Sequence, residues 1–250
     1  MGYPQLLLDS TTSAKIFVGM QLLQGLVCSL FPKSNHKIYG GSDDSLLMQT
    51  ITTGCGYNLL ASGVLGYGLM FQDGWDLSTT IGYAFLVQCI NNWYKIISGN
   101  ATKSGGTVTS QMIPLCMKLF GAFANLTKQE YASIFTKVVA IFACMNGVLF
   151  VLKPDKGLKK WSVDAKPTKS ALSMIRVLGY LILGQMATIL SASSGVEATK
   201  SIAFGAMFPL FQIVDFLFIT DEYAQTSSAP RVVFFGQASI LAFFITSMLV

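Results

Sequence analysis

Charge is what this chain has least of. Of its 250 residues only 12% are Asp, Glu, Lys or Arg, whereas 52% are hydrophobic. A soluble domain carries about a quarter charged residues, and the mean hydropathy here is +0.55, so an ordinary water-soluble globule is excluded. Histidine occurs once, as His36, and no H-E-x-x-H, G-x-S-x-G, P-loop or G-x-G-x-x-G stands anywhere in the chain. That leaves little for acid–base or metal chemistry: neither an enzyme nor a metal site is expected. Long connections are missing too. No segment between apolar runs exceeds about 17 residues, too little for a soluble catalytic domain. The five cysteines, Cys28, Cys55, Cys89, Cys116 and Cys144, form no C-x-x-C and are expected to be free thiols packing as small hydrophobes. No cleavable signal peptide is expected, since Lys15 alone flanks the first run and no small-residue cleavage site follows.

What is present is apolar length. Runs of about 18 or more such residues are candidates to span a membrane, and eight occur: 14–31, 46–71, 78–97, 108–126, 132–152, 170–191, 201–219 and 231–250. The expected fold is an all-α polytopic membrane protein with eight transmembrane helices. The run 108–126 is the weakest, carrying Pro114 and Lys118.

The chain also repeats itself. "GLVCSLFPKSNHKIY" (25–39) and "GVLFVLKPDKGLKKW" (147–161) share an order of Gly, apolar run, Pro, lysines and aromatic. At an offset of 122, Lys15 pairs with Lys137, Gly25 with Gly147 and Pro32 with Pro154; at 123, Gly56-Tyr57 pairs with Gly179-Tyr180, Ser78 with Ser201 and Gly82 with Gly205. This is read as a tandem duplication of a four-helix unit, residues 1–127 and 128–250. Four is even, so the copies run in the same direction, unlike the inverted repeats of many transporters. The spacings Ser78-x-x-x-Gly82 and Ser201-x-x-x-Gly205 are small-residue faces that let helix backbones approach closely.

With eight spans, one membrane face holds eleven Lys and Arg and the face with both termini holds Lys15, Lys128, Lys137 and Lys200. By the positive-inside rule both termini face away from the cytosol, stroma or matrix. Aromatics near the run ends (Tyr39, Trp75, Trp93, Tyr94, Trp161, Tyr223) suit interfacial belts. The basic loop 153–169 is a candidate contact for an anionic lipid or an acidic partner. The net charge of +5 serves topology, and nucleic-acid binding is not expected.

Ionisable groups inside a membrane are functional candidates by default. Arg176 and Asp215 fall at similar depth on adjacent runs, so an ion pair acting as a structural clasp is expected; their counterparts in the first copy are Thr53 and Asn92. Lys118 is expected to snorkel, or to meet an acidic lipid or partner. Gln88, Asn91, Gln185 and Gln212 are amides suited to interhelical hydrogen bonds, or to contacts with a lipid or a pigment such as chlorophyll or carotenoid.

"IRVLGY" (175–180) and "QIVDFLF" (212–218) place an arginine before a Gly-aromatic pair and an acid late in the following helix. In this layout the repeat unit resembles the four-helix membrane proteins of the ergosterol-biosynthesis scaffold and DoxX-like families. The resemblance covers about 50 residues of the second copy and is absent from the first at Thr53 and Asn92. It implies a non-enzymatic scaffold holding membrane partners together. The expected function is therefore an accessory subunit of a larger membrane complex, with a photosynthetic or respiratory complex of the thylakoid or mitochondrial inner membrane as the expected host. The alternative is a small-solute or ion transporter or channel, its passage between the two copies lined by Lys118, Arg176, Asp215, Asn92 and Pro209.

Overall fold

The computed structural model describes residues 8–38, 41–71, 74–161, 168–220 and 222–250. Among them there is no strand. The helices in order are α1 (Ser10–Leu30), α2 (Pro32–Ile38), α3 (Leu46–Phe71), α4 (Leu77–Ile97), α5 (Asn100–Lys103), α6 (Val108–Leu126), α7 (Ala132–Leu152), α8 (Pro154–Trp161), α9 (Lys169–Ser193), α10 (Ala198–Val214), α11 (Glu222–Thr226) and α12 (Arg231–Leu249); α10 runs on as a π-helix over Asp215–Ile219. Tyr39, Lys166 and the stretch 162–167 of the basic loop lie outside the described residues.

Local chemistry starts and stops these helices. Asp9, Asp76, Thr107 and Thr168 each accept a first-turn N–H, from Thr12, Thr79, Ser110 and Ala171, which satisfies a donor that the helix itself leaves open. The repeated stretch has one backbone path in both places. α1 closes at Phe31 (φ −128°, ψ 56°) and α7 at Lys153 (φ −138°, ψ 66°). A proline then opens a short helix, where its missing N–H costs nothing. Residues 154–161, expected as loop, thus form α8. Leu158 is buried with Ile51, Phe150 and Ile175, so burial of one apolar side chain ties down an otherwise basic segment.

Among the described residues five elements are long and apolar enough to cross a membrane: α1, α7, α9, α10 with its π extension, and α12. The long helices α3, α4 and α6 fall short, each for a readable reason. α3 is shielded by α1, α4 and α9 and spends its surface on glycines and threonines. α4 carries Gln88, Asn91, Asn92 and Lys95, and α6 carries Gln111, Lys118 and Asn125, of which Asn92, Gln111 and Lys118 bond to one another.

Packing follows one order in both halves. α1 lies on α3, α3 on α4 and α4 on α6; likewise α7 lies on α9, α9 on α10 and α10 on α12. A Cβ on Gly25 would stand 3.0 Å from the Gly56 carbonyl, and one on Gly147 would stand 3.1 Å from that of Gly179. The halves are not separate bundles. α3 packs on α9 and α1 on α12, and a single apolar cluster joins Leu65, Phe85 and Ala122 to Ala140, Met186 and Ile189. Outward faces stay apolar: on α7, Ile134, Val138, Ile141, Met145, Val148 and Leu152 are all exposed at three- and four-residue spacing, a stripe far larger than a soluble monomer presents.

Candidate functional site

Three polar clusters and four cavities mark the described part of the protein. At its centre Gln88 of α4 donates through Nε2 to Gln185 Oε1 of α9 at 2.5 Å and lies 3.3 Å from Asn58 Oδ1 of α3. Two of the four expected amides therefore bridge the halves directly. Gln185 Nε2 and Asn91 Oδ1 are buried with no hydrogen-bond partner among the described residues. The fourth amide, Gln212, lines the cavity described below.

The second cluster sits where α9 meets the end of α10. Arg176 pairs with Glu222 and donates from Nε to the Val151 carbonyl at 3.0 Å. Asp215 instead accepts from the Tyr180 hydroxyl at 3.1 Å. The clasp expected between Arg176 and Asp215 is thus corrected: the two line one small cavity, but the ion pair is with Glu222. The cause is the turn after the π-helix, which carries α11 back over α9 and brings a carboxylate from outside the apolar run. Burial holds the Glu222 carboxyl above the ordinary Glu range, outweighing the Ser173 hydrogen bond and the Arg176 charge that pull it down.

In the third cluster Asn92, the counterpart of Asp215, donates to Gln111 Oε1 and accepts from Lys118 Nζ, both at 3.1 Å. Lys118 is thereby anchored inside the protein. Lys95, counted above with the loop lysines, is 2% exposed near the end of α4. It lines a cavity with Lys33, Thr50 and Thr53 at the α1–α2 corner.

The small-residue faces pack differently in the two halves. Ser78 donates to Asn125, and a Cβ on Gly82 would stand 2.7 Å from the Leu126 side chain, so this face meets α6. Gly205 approaches Thr188 and the Gly184 carbonyl, so its face meets α9; Ser201 bonds locally to the Val196 carbonyl. Asn125 is buried and donates to Thr136 of α7, a second polar link between halves that spacing alone does not reveal. All five cysteines are free.

A further cavity, about 190 Å³ in volume, lies between the halves and is smaller than the one of about 390 Å³ at the α1–α2 corner. Its mouth is formed by α2, α11 and the start of α9, and its floor by Leu59 and Leu181. Those two leucines also cap a smaller polar cavity lined by Gln21, Ser62, Gln185, Thr188 and Pro209. His36, expected in a loop, sits on α2, 8% exposed, with Nε2 buried and without a hydrogen-bond partner among the described residues. Burial lowers its pKa against the pull of Asp43 and Asp44. Across the mouth, Thr168 at the cap of α9 donates to Asp43 Oδ2 at 2.8 Å, a further tie between halves.

The chain matches no protein-family model, no curated protein sequence and no solved structure.

Proposed function

We propose that this is a non-enzymatic integral membrane protein of eight spanning helices, built from two same-direction repeats, that acts as an accessory or scaffold subunit of a larger membrane assembly. The observation that carries this reading is where its polar groups are spent. Gln88 binds Gln185, Asn92 binds Gln111 and Lys118, and Asn125 binds Ser78 and Thr136. Buried polar groups bonded to one another in this way, Gln185 Nε2 and Asn91 Oδ1 apart, stiffen a fold and specify it, which leaves the apolar outer faces as the surface the protein offers to lipid and to other subunits. The residues that would line a transport passage are dispersed. Arg176 and Asp215 border one cavity, Pro209 another, and Lys118 and Asn92 bond to each other elsewhere.

One observation favours the channel reading as a second. The cavity between the halves and the smaller polar one share Leu59 and Leu181 in their linings, an arrangement suited to a hydrophobic gate.

Migration of the endogenous protein from gently solubilised membranes, with absorbance recorded across each native-gel band, separates the two. Movement in a particle many times the 27.0 kDa chain mass supports the subunit reading, and the co-migrating proteins and pigments identify the host. Migration as a lone chain, with solute flux in liposomes that rises in Leu59→Ala, overturns it in favour of a channel.

A further inference from the structure

We propose that the cavity at the α1–α2 corner binds a phosphate group, carried either by the head of an anionic lipid or by the free ion. This goes beyond the subunit reading and stands whether or not that reading holds. Three observations point to it.

First, the cavity is roomy and carries charge of one sign. At about 390 Å³ it falls within the roughly 300–1,000 Å³ of small-molecule sites. Lys33 lines it from α2 and Lys95 from α4, and no Asp or Glu lines it among the described residues. The two acids that precede α3 are engaged elsewhere: Asp43 accepts from Thr168 Oγ1 at 2.8 Å, and Asp44 pairs with Lys37 at 3.5 Å. The hydroxyls of Ser29 and Thr50 donate to carbonyls of their own helices, each at 2.7 Å. What the wall offers is therefore positive charge more than hydroxyl donation, and lysine meets phosphate as a point charge.

Second, the two halves differ at this place. Thr50 and Thr53 line the cavity, and at an offset of 123 their counterparts Ser173 and Arg176 line the small one of about 10 Å³ in the second half. There the chain supplies its own anion, because Glu222 reaches in from α11 to pair with Arg176. At the same offset Glu222 corresponds to Gly99, and α5 beyond it carries Lys103 and no acid. The first half thus brings lysines to this level, has no carboxylate in the lining, and has open space instead. An anion from outside the chain takes the role that Glu222 has in the second half.

Third, the cavity has a way in. Its lining comes from helix ends: Leu30 closes α1, Leu46 opens α3 and Lys95 lies in the last turn of α4. In a membrane such ends lie at head-group level, and basic pockets between helices there take lipid heads. The open side is marked by Leu30, Phe31 and Tyr94, 65%, 60% and 50% exposed, whereas Thr53 and Lys95 are 7% and 2% exposed. A lipid lying against Leu30 and Phe31 brings its phosphate past the exposed Lys33 towards Lys95.

The test uses the purified full chain in an uncharged maltoside detergent and two radiolabelled probes, inorganic phosphate and dioctanoyl phosphatidate, with retained label counted on the immobilised protein. Retention at one label per chain, displaced by excess unlabelled phosphatidate and not by dioctanoylglycerol, is the expected result. Retention of phosphatidate alone assigns the site to lipid heads. Retention of inorganic phosphate, with or without the lipid, assigns it to the free ion. Lys33→Gln is expected to weaken binding about fivefold, and Lys95→Met at least about tenfold. Lys156→Gln, exposed on α8 and outside the cavity, is expected to leave binding unchanged. Retention of neither probe, displacement by dioctanoylglycerol, or a loss in Lys156→Gln as large as in Lys33→Gln overturns the proposal, as does binding undiminished in both Lys33→Gln and Lys95→Met. Where Lys95→Met does not fold, the comparison of Lys33→Gln with Lys156→Gln decides it.

Discussion

The backbones of α1 and α3 approach closely at Gly56, and adding a single methyl group there tests the packing directly. A Cβ at Gly56 would stand 2.5 Å from both the amide nitrogen and the hydroxyl oxygen of Ser29, and 2.9 Å from the Cys28 carbonyl carbon. Ordinary contact begins near 3.4 Å, so α1 and α3 must separate by roughly an ångström. The obstruction is backbone, which no rotamer change relieves. Overpacking of this kind costs about 1–3 kcal/mol, set against a gain of roughly 0.5–1 kcal/mol from replacing glycine by alanine within a helix. Gly19, on the same α1, has open space where its Cβ would be and receives the gain alone. Thermal unfolding in a mild detergent should therefore place Gly56→Ala below the unmodified chain and Gly19→Ala at or above it, at about 2–4 °C per kcal/mol for a chain of this size. Gly179 has the matching contact, 2.8 Å from the Gly147 carbonyl, and Gly179→Ala should fall by a similar amount. A Gly56→Ala protein as stable as Gly19→Ala would refute the close approach of α1 and α3.

Three further outcomes follow from the polar clusters. Glu222→Gln leaves the half-buried Arg176 without its ion-pair partner and should destabilise by up to about 3–5 kcal/mol. The double change Arg176→Gln with Glu222→Gln should recover a good part of this in the same melting assay, whereas pairing Arg176→Gln with Asp215→Asn should not. A double-mutant cycle on Gln88→Leu and Gln185→Leu should give a coupling near the roughly 0.6 kcal/mol typical of hydrogen bonds between membrane helices; a value of zero would dissolve the bridge between the halves. Asp76 is held down to about 2 by the Lys128 ammonium at 2.8 Å and by the Thr79 N–H. A depressed carboxylate contributes stability that is complete above its ordinary value of 3.8 and is lost as pH falls through about 2. The pair is exposed, so the loss is held below about 1 kcal/mol, and acid melting of Asp76→Asn should lack that step.

How much of this was legible in the chain depends on range. The apolar runs place the long helices closely: 46–71, 108–126 and 132–152 coincide with α3, α6 and α7, because a run of that length has only one way to satisfy its backbone in an apolar setting. The Gly25–Gly147 and Gly56–Gly179 correspondences mark positions that prove to be close approaches in both halves. Other features were hidden. α2 and α8 look like charged loops, and only docking of Leu158 and His36 makes them helices against the core. Glu222 lies outside any apolar run, and its reach to Arg176 depends on the π-helix at Asp215–Ile219, which local periodicity does not announce. The bonds from Gln88 to Gln185 and from Asn125 to Thr136 join separate helices across the two halves; each amide is visible in the sequence, its partner is not.

Where the two halves differ is as informative as where they agree. The glycine contacts, the proline breaks and the order of helix packing recur, and they are what holds four helices together. The polar interior does not recur. Thr53 stands for Arg176, Asn92 for Asp215 and Leu241 for Lys118, and each half anchors its cation from a different helix. Two identical units related by an axis along the membrane normal would present each side of their contact with the same groups. Here one side of the central cavity offers His36 from the short helix after α1, while α9 offers the hydroxyls of Ser170 and Ser173. At the position of His36 the second half has Leu158, buried in the core. The same short helix therefore plugs apolar space in one half and places an imidazole beside the cavity in the other. A frame kept constant with an interior allowed to diverge concentrates whatever is specific to this protein at the seam between its halves.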